Sequence, residues 1–170
     1  EASLSEIDQL LSTFAALLRL ARLQAGGFER SQQWVDLDRV VHDAVEMYAP
    51  LAAAAGHALR AHIAPYRAAV DRNLWFQLVQ NLIDNAVNHG RSDVEVELDA
   101  SGTLSVRDHG SGVAADSLAR LGERFFRADP ARSAPGSGIG LALARAIAEH
   151  HGARLRFENA NPGLRAIVSF

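Results

Sequence analysis

Residues 77–90 read Gln77-Leu-Val-Gln-Asn81-Leu-Ile-Asp-Asn85-Ala-Val-Asn88-His89-Gly90, and the interpretation of the whole chain turns on them. On a helical template Leu74, Leu78, Val79, Leu82 and Ala86 fall on one apolar stripe of helical period. A second stripe, Gln77, Asn81, Asn85 and Asn88, carries amides alone. Solvated helix faces usually carry Glu, Arg or Lys, because Asn propagates helix poorly. Two readings stand at this point. One is an unusual surface face; the other is a row of neutral donors and acceptors turned toward a charged ligand, such as a hard cation with phosphates.

The chain around this stretch has 170 residues and 48% hydrophobic content, enough for one compact domain with an appendage. A net charge of −3 gives no general pull toward nucleic acid or an anionic membrane. No apolar run approaches the ~18–20 residues of a membrane span, and the N-terminus lacks a signal-peptide pattern. The absence of Cys excludes disulfides and thiolate metal sites. Every basic residue is Arg and none is Lys, so a Lys-to-Arg difference from any relative carries little information.

Toward the N-terminus, Asp71 is placed to cap the amide-striped helix. Two strands are predicted at 58–63 and 67–70, separated by Pro65. Before them Asp36 is a predicted N-cap for a helix through about residue 55, with Val40, Val41, Ala44, Val45 and Tyr48 on its buried side and Pro50 expected to kink or shorten it. Trp34 and Val35 fall in a short polar segment. In 4–25 the residues Leu4, Ile7, Leu11, Phe14, Leu18, Ala21 and Ala25 recur at steps of three and four, widened by Leu10 and Leu17. That is a helical-bundle seam in need of partners, and Gly26-Gly27 ends it. A membrane-surface helix is the competing reading, but the basic face it requires is missing.

Toward the C-terminus, Val94, Val96 and Leu98 alternate with acidic residues as a half-exposed strand, and Ser101-Gly102 turns into a second strand at 103–107. Asp108-His109-Gly110-Ser111-Gly112 follows; alone, such a sequence is an ordinary turn. A short helix at 114–121 leads to Glu123-Arg124-Phe125-Phe126-Arg127. Residues 128–137 lose periodicity and gather Pro130, Pro135, Gly136 and Ser137, the composition of a mobile loop. Gly136-Ser137-Gly138-Ile139-Gly140-Leu141 then opens a helix at 142–151, and strands at 153–158 and 164–170 flank Asn161-Pro162-Gly163. No internal repeat is visible. The expected fold is α+β, a two-layer sandwich with helices on one face of a mixed sheet.

Taken in order, these segments resemble the catalytic, ATP-binding domain of bacterial sensor histidine kinases of two-component systems, in the superfamily that includes gyrase, heat-shock chaperone and mismatch-repair ATPases. Residues 81–89 resemble the family's N box, Asp108-x-Gly110-x-Gly112 its G1 box, Arg124-Phe125-Phe126-Arg127 its F box and Gly136-x-Gly138-x-Gly140-Leu141 its G2 box. Each motif alone is weak; four in register across nearly the whole chain are a strong signal. The resemblance implies the Bergerat-type ATP fold over residues 28–170. Residues 1–27 resemble the second helix of a dimerisation and phosphotransfer hairpin, truncated before a first helix that would carry the phospho-accepting His. His42 is followed by Asp43 but not by Leu-Arg-Thr-Pro, and reads as a helix-surface residue. The isolated chain is therefore not expected to phosphorylate itself.

The chemistry that the resemblance implies agrees with the residue types. Magnesium, a hard cation held by few protein oxygens plus phosphates and water, would take Asn85 and Asn81, one helical turn apart. Asp108 would accept the exocyclic amino group of adenine and so select ATP over GTP. Gly110 and Gly112, with Val113, would let the base approach the backbone. Backbone N–H groups of Gly136, Ser137, Gly138, Ile139, Gly140 and Leu141 would meet the phosphates at a helix start. His89 would stand beside the base or ribose, while Arg127 and Arg132 of the implied ATP lid are the nearest cations for the γ-phosphate. Phe125 and Phe126 are expected to anchor that lid in the core. A Pro-rich loop precedes the glycines and no Gly-Lys-Ser/Thr follows, so Rossmann and P-loop sites are both excluded.

Two residues depart from the family pattern. Asn88 stands where relatives usually carry Lys or Arg against phosphate, and Asn81 stands where the hydrolytic relatives carry a Glu base. Water activation is therefore not expected; the phosphoryl group would pass to a hairpin His brought in line. Asn88 keeps open the alternative of a degenerate module that binds nucleotide or a response regulator without transfer. A protein-serine kinase of the anti-sigma-factor type has the same fold but lacks the leading heptad helix. Further implied are a response regulator and a homodimer partner, no nucleic acid or direct membrane contact, and a place in the cytoplasmic part of a membrane-bound sensor.

Overall fold

The computed structural model describes residues 2–26, 33–90, 92–128 and 138–170. Its central helix, α3 (Arg72–Gly90), starts where Asp71 Oδ1 accepts the N–H groups of Asn73 and Leu74 at 2.8 and 2.9 Å. Two of the first-turn donors that a helix leaves unpaired are thereby satisfied. The helix buries Leu74, Trp75, Leu78, Val79, Leu82, Ile83, Ala86 and Val87, so the predicted apolar stripe is the core face. α2 (Leu37–Ala54) and α5 (Gly140–His150) pack on either side of it.

Beneath the helices lies a mixed five-stranded sheet in the order β2 (Leu59–Ile63), β4 (Val94–Leu98), β5 (Leu104–Asp108), β7 (Leu164–Ser169), β6 (Arg154–Asn159). β2 and β4 run parallel, and every other pair is antiparallel. Register follows the two-residue alternation. Val96 lies between Ala61 and Val106 under the helices, whereas Glu95 lies between Arg60 and Arg107 on the open face. The chain is thus the α+β sandwich that the pattern of elements predicts.

Several local expectations change. Trp34 and Val35 belong to a strand, β1 (Gln33–Asp36), which pairs antiparallel with β3 (Arg67–Val70) outside the main sheet. Asp36 precedes α2 in the cap position, but its carboxylate bridges Arg67 Nε at 2.8 Å instead of capping the helix. Pro50 neither ends nor shortens α2, which continues to Ala54 with Pro50 on its exposed side. α5 starts at Gly140, two residues before the predicted start. His42 is exposed on α2.

α1 (Ala2–Gln24) packs on α5 and ends at Gly26, whose φ of +69° suits a residue without Cβ. Its buried residues are Leu20 and Leu23, with Ala16 and Leu17 partly covered. Much of the heptad seam lies elsewhere: Ile7, Leu10, Leu11, Phe14 and Leu18 face solvent. The boundary expected at 27/28 falls outside the described residues.

His151 ties the end of α5 to the start of α3. Its Nε2 accepts the Asp71 N–H at 3.0 Å, and its Nδ1 lies 2.8 Å from the Ile147 carbonyl, so the ring is neutral with its proton on Nδ1. The imidazole stands edge-on to Trp75. His151→Phe should leave the Asp71 N–H unpaired and cost about 1–3 kcal/mol. Differential scanning calorimetry should show a midpoint several degrees lower; an unchanged midpoint would mean that this bond carries no stability.

Candidate functional site

A cavity of about 490 Å³ opens between the C-terminal half of α3, the start of α5, the turn after β5, residues 121–128 and one side of α1. Its most deeply set polar group is the Asp108 carboxylate, only 6% exposed at the end of β5. A buried carboxylate is tolerated only when hydrogen-bonded. Here Oδ1 accepts the N–H of Gly110 at 2.8 Å and of Leu164 at 3.3 Å. Among the described residues no hydrogen bond falls on Oδ2.

Glycines close around this residue. A Cβ at Gly90 would lie 2.4 Å from Asp108 Cβ, one at Gly110 2.4 Å from the Gly90 carbonyl, and one at Gly163 1.7 Å from the Asp108 carbonyl. The room that Gly110 leaves is filled by protein, and a Cβ at Gly112 would lie 2.6 Å from Asn159 Oδ1. Asn159 also holds both main-chain groups of Val113, accepting its N–H at 3.0 Å and donating to its carbonyl at 2.8 Å. Asn159 was not legible as a positioning residue. An amide at a strand end before a Pro-Gly turn ordinarily serves that turn.

On the α3 wall stand Asn81, Asn85 and His89, joined by Asp84. Asn81 Nδ2 is buried without a hydrogen-bond partner, an orphaned polar group beside the start of α5: a Cβ at Gly140 would lie 3.5 Å from Asn81 Oδ1. Asn88 is not on the cavity wall. It is exposed and donates its amide to Asp84 Oδ1 at 2.9 Å. Asp84 stands at the rim, and burial raises its carboxyl above its ordinary value against the opposing influence of His89 and hydrogen bonds from Asn88 and Tyr48. Sequence reasoning passed over Asp84 because a carboxylate on a helix is the usual mark of a solvated face.

At the far wall, α5 begins behind Ile139, which makes no side-chain cap. Ile139 itself is fully buried, so Gly138, Gly140 and Leu141 form the wall. The Phe125 N–H donates to the Gly138 carbonyl at 3.1 Å, and a Cβ at Gly138 would lie 2.9 Å from the Phe125 carbonyl carbon. This contact clasps the two ends of the intervening segment. Phe125, at φ +61°, is 62% exposed and anchors nothing in the core, because this backbone conformation turns its side chain outward. Phe126 alone turns inward, lining the cavity with Arg127 and carrying the Arg120 guanidinium 4.2 Å above its ring.

Of the predicted site residues, the cavity thus gathers Asn81, Asn85, His89, Asp108, Gly112, Val113, Arg127, Gly138, Gly140 and Leu141. Asn88, Gly110 and Ile139 are off its wall, and Arg132, Gly136 and Ser137 lie outside the described residues. No helix among the described residues is long and apolar enough to cross a membrane.

Comparison with known proteins gives a consistent result. A profile described as histidine kinase-, DNA gyrase B-, and HSP90-like ATPase matches residues 70–170. The sensor protein QseC of Escherichia coli K12 is 48% identical over 88 residues, covering 51% of this chain and 19% of QseC. The sensor protein SphS of Synechococcus elongatus is 36% identical over 176 residues, covering 92% of this chain and 41% of SphS. The chain therefore spans less than half the length of either relative. Among solved structures, full-length ShkA in complex with AMPPNP superposes with a TM-score of 0.80 at 27% identity, covering 95% of this chain and 35% of ShkA. The mycobacterial sensor histidine kinase MprB gives 0.71 at 28%, covering 80% and 95%.

Tyr48 of α2 reaches Asp84 from behind the cavity wall. Burial, and after it the Asp84 carboxylate, pushes its phenol up to about 12. Because the folded protein favours the neutral phenol, this contribution to stability is complete below the unfolded value of ~10 and is lost as pH rises from there to about 12. Absorbance titration should show a phenolate component near pH 12 that Tyr48→Phe removes and Asp84→Asn moves downward. A component that Asp84→Asn leaves in place would show that the carboxylate has no part in it.

Proposed function

The chain belongs to the histidine kinase-, DNA gyrase B- and HSP90-like ATPase family, as the catalytic domain of a two-component sensor kinase, and from this we propose that its cavity binds Mg-ATP for transfer of the γ-phosphate to a histidine. Supporting this above all is the fixed direction of Asp108. With Oδ1 of this lining residue tied by two backbone N–H groups, Oδ2 is left as a pure acceptor, suited to the exocyclic amino group of adenine and unsuited to the carbonyl oxygen of guanine. The ribose and phosphates then run toward Asn85, Asn81 and the start of α5, whose first-turn N–H groups favour negative charge.

Magnesium fits this donor set. Asn81 and its neighbour Asn85 carry neutral amide oxygens on the cavity wall, the orphaned Asn81 Nδ2 being a donor suited to phosphate oxygen, and Mg²⁺ takes few protein ligands when phosphates and water supply the rest. When bound, the ion would neutralise phosphate charge; Asn85 and Asn81 would hold it. Arg127 is on the cavity wall, which supports its reading as a γ-phosphate contact. Position 81 offers no carboxylate to activate water, so transfer to an incoming imidazole in line with the leaving oxygen is favoured over hydrolysis. α1 is read as the second helix of the dimerisation hairpin; the acceptor histidine, a homodimer partner and a response regulator complete the proposed system in the cytoplasm. Asn88, the one feature pointing to a module without transfer, is off the cavity wall, so it is no measure of how the cavity handles phosphate.

Asp108→Asn provides the test. The two N–H groups keep the amide oxygen at the Oδ1 position, so the amide nitrogen replaces Oδ2 and turns a donor toward the adenine amino group. Calorimetry should show Mg-ATP bound about 10- to 100-fold more weakly than by the unaltered chain, with GTP gaining relative to ATP. Equal ATP affinities for the two proteins would sink the assignment.

A further inference from the structure

The amide stripe of α3 runs out from beneath α1. At its first position Gln77 accepts a hydrogen bond from the Arg19 guanidinium of α1, and its next members, Asn81 and Asn85, line the cavity. Followed the other way from Arg19, α1 presents Ala16, Thr13 and Ser12, and these also line the cavity. At ~1.5 Å per residue Ser12 stands about 10 Å along α1 from Arg19, and Asn85 about 12 Å along α3 from Gln77. Two helices leaving one clasp in the same direction thus set a pair of hydroxyls and a pair of amides on walls of the same cavity. Ala16 between them is small enough to leave the space open. No hydrogen bond among the described residues falls on the Ser12 or Thr13 side chain.

Asp108 lies against Gly90, the end of α3 farthest from Gln77, whereas Ser12 and Thr13 are reckoned from the Arg19–Gln77 clasp at about the distance of Asn81 and Asn85, so the hydroxyls belong with the amides, where the phosphates are placed. We propose that Ser12 and Thr13 form a further wall of the nucleotide site, donating hydrogen bonds to phosphate oxygens, so that nucleotide occupancy and docking of α1 reinforce each other. The inference rests on the nucleotide reading of the cavity. It goes beyond that reading in assigning ligand contacts to a helix outside the four sequence motifs. Coupling of this kind is reciprocal: whatever factor docked α1 adds to nucleotide affinity, bound nucleotide adds to the docked state. The nucleotide state is then transmitted to a helix whose opposite side carries exposed Leu10, Leu11 and Phe14.

The test compares Mg-ATP and adenosine on the unaltered chain, on the double variant Ser12→Ala/Thr13→Val, and on Arg19→Ala, with circular dichroism to verify the fold. Ser12 is exposed and Thr13 half-buried, so the double variant should fold normally. Calorimetry should show Mg-ATP weakened about five- to tenfold by the double variant and weakened also by Arg19→Ala, with adenosine unchanged in both. Hydrogen exchange across residues 10–20 should slow when Mg-ATP binds the unaltered chain and respond less in the double variant. Equal Mg-ATP affinity, tighter binding by the double variant, or exchange indifferent to nucleotide would overturn the proposal while leaving the nucleotide reading intact. If the unaltered chain binds neither Mg-ATP nor adenosine, the nucleotide reading fails and the proposal with it.

Discussion

The site depends on burying one carboxylate without distorting it. Asp108 is held by two backbone N–H groups, and the chain comes close enough to supply them only because glycines occupy three separated positions. Gly90 ends α3, Gly110 sits in the turn after β5, and Gly163 precedes β7. A side chain at any of them would strike Asp108 or its neighbour before a ligand entered. The direction of the free carboxylate oxygen is therefore set by the closure of helix, turn and sheet together. Such a site is built by the fold itself and has little freedom to adjust to its ligand.

The parts of this arrangement that were legible in the sequence are those with a local cause. Asp71 caps α3, the apolar stripe of α3 is its core face, and alternation in β4 separates Val96 from Glu95. What escaped depends on partners far away in the chain. β1 is four residues long and becomes a strand only by pairing with β3. Pro50 reads as a breaker, yet on the exposed side of α2 it is accommodated. Phe125 and Phe126 look equivalent as neighbours, and a single positive φ sends them in opposite directions. Within the cavity the amides and glycine turns follow from the motifs, but Asp84 and Asn159 do not. Their roles come from Tyr48 and Val113, which lie beside them only after folding.

α1 shows how one amphipathic pattern can serve two surfaces. The three-and-four spacing correctly indicates a helix that needs company, but the residues it uses on this domain, Leu20 and Leu23, are not the seam. Leu18, Phe14, Leu11 and Ile7 remain on the outside. An apolar stripe wider than a two-helix contact has this result: one part is covered by α5 and the remainder stays exposed. Periodicity gives the width of the stripe, and only the tertiary structure divides it.

The Phe125–Gly138 clasp separates the length of the segment it spans from the integrity of the cavity. A loop whose ends are already joined changes its closure entropy only logarithmically with length, by about 0.6 kcal/mol per doubling. Beyond Ala128, the last of the described cavity-lining residues before Gly138, chain length can change with little strain passed to α5 or to Asp108. The domain thus has a cassette position, where the length of chain can be respecified without rebuilding the cavity.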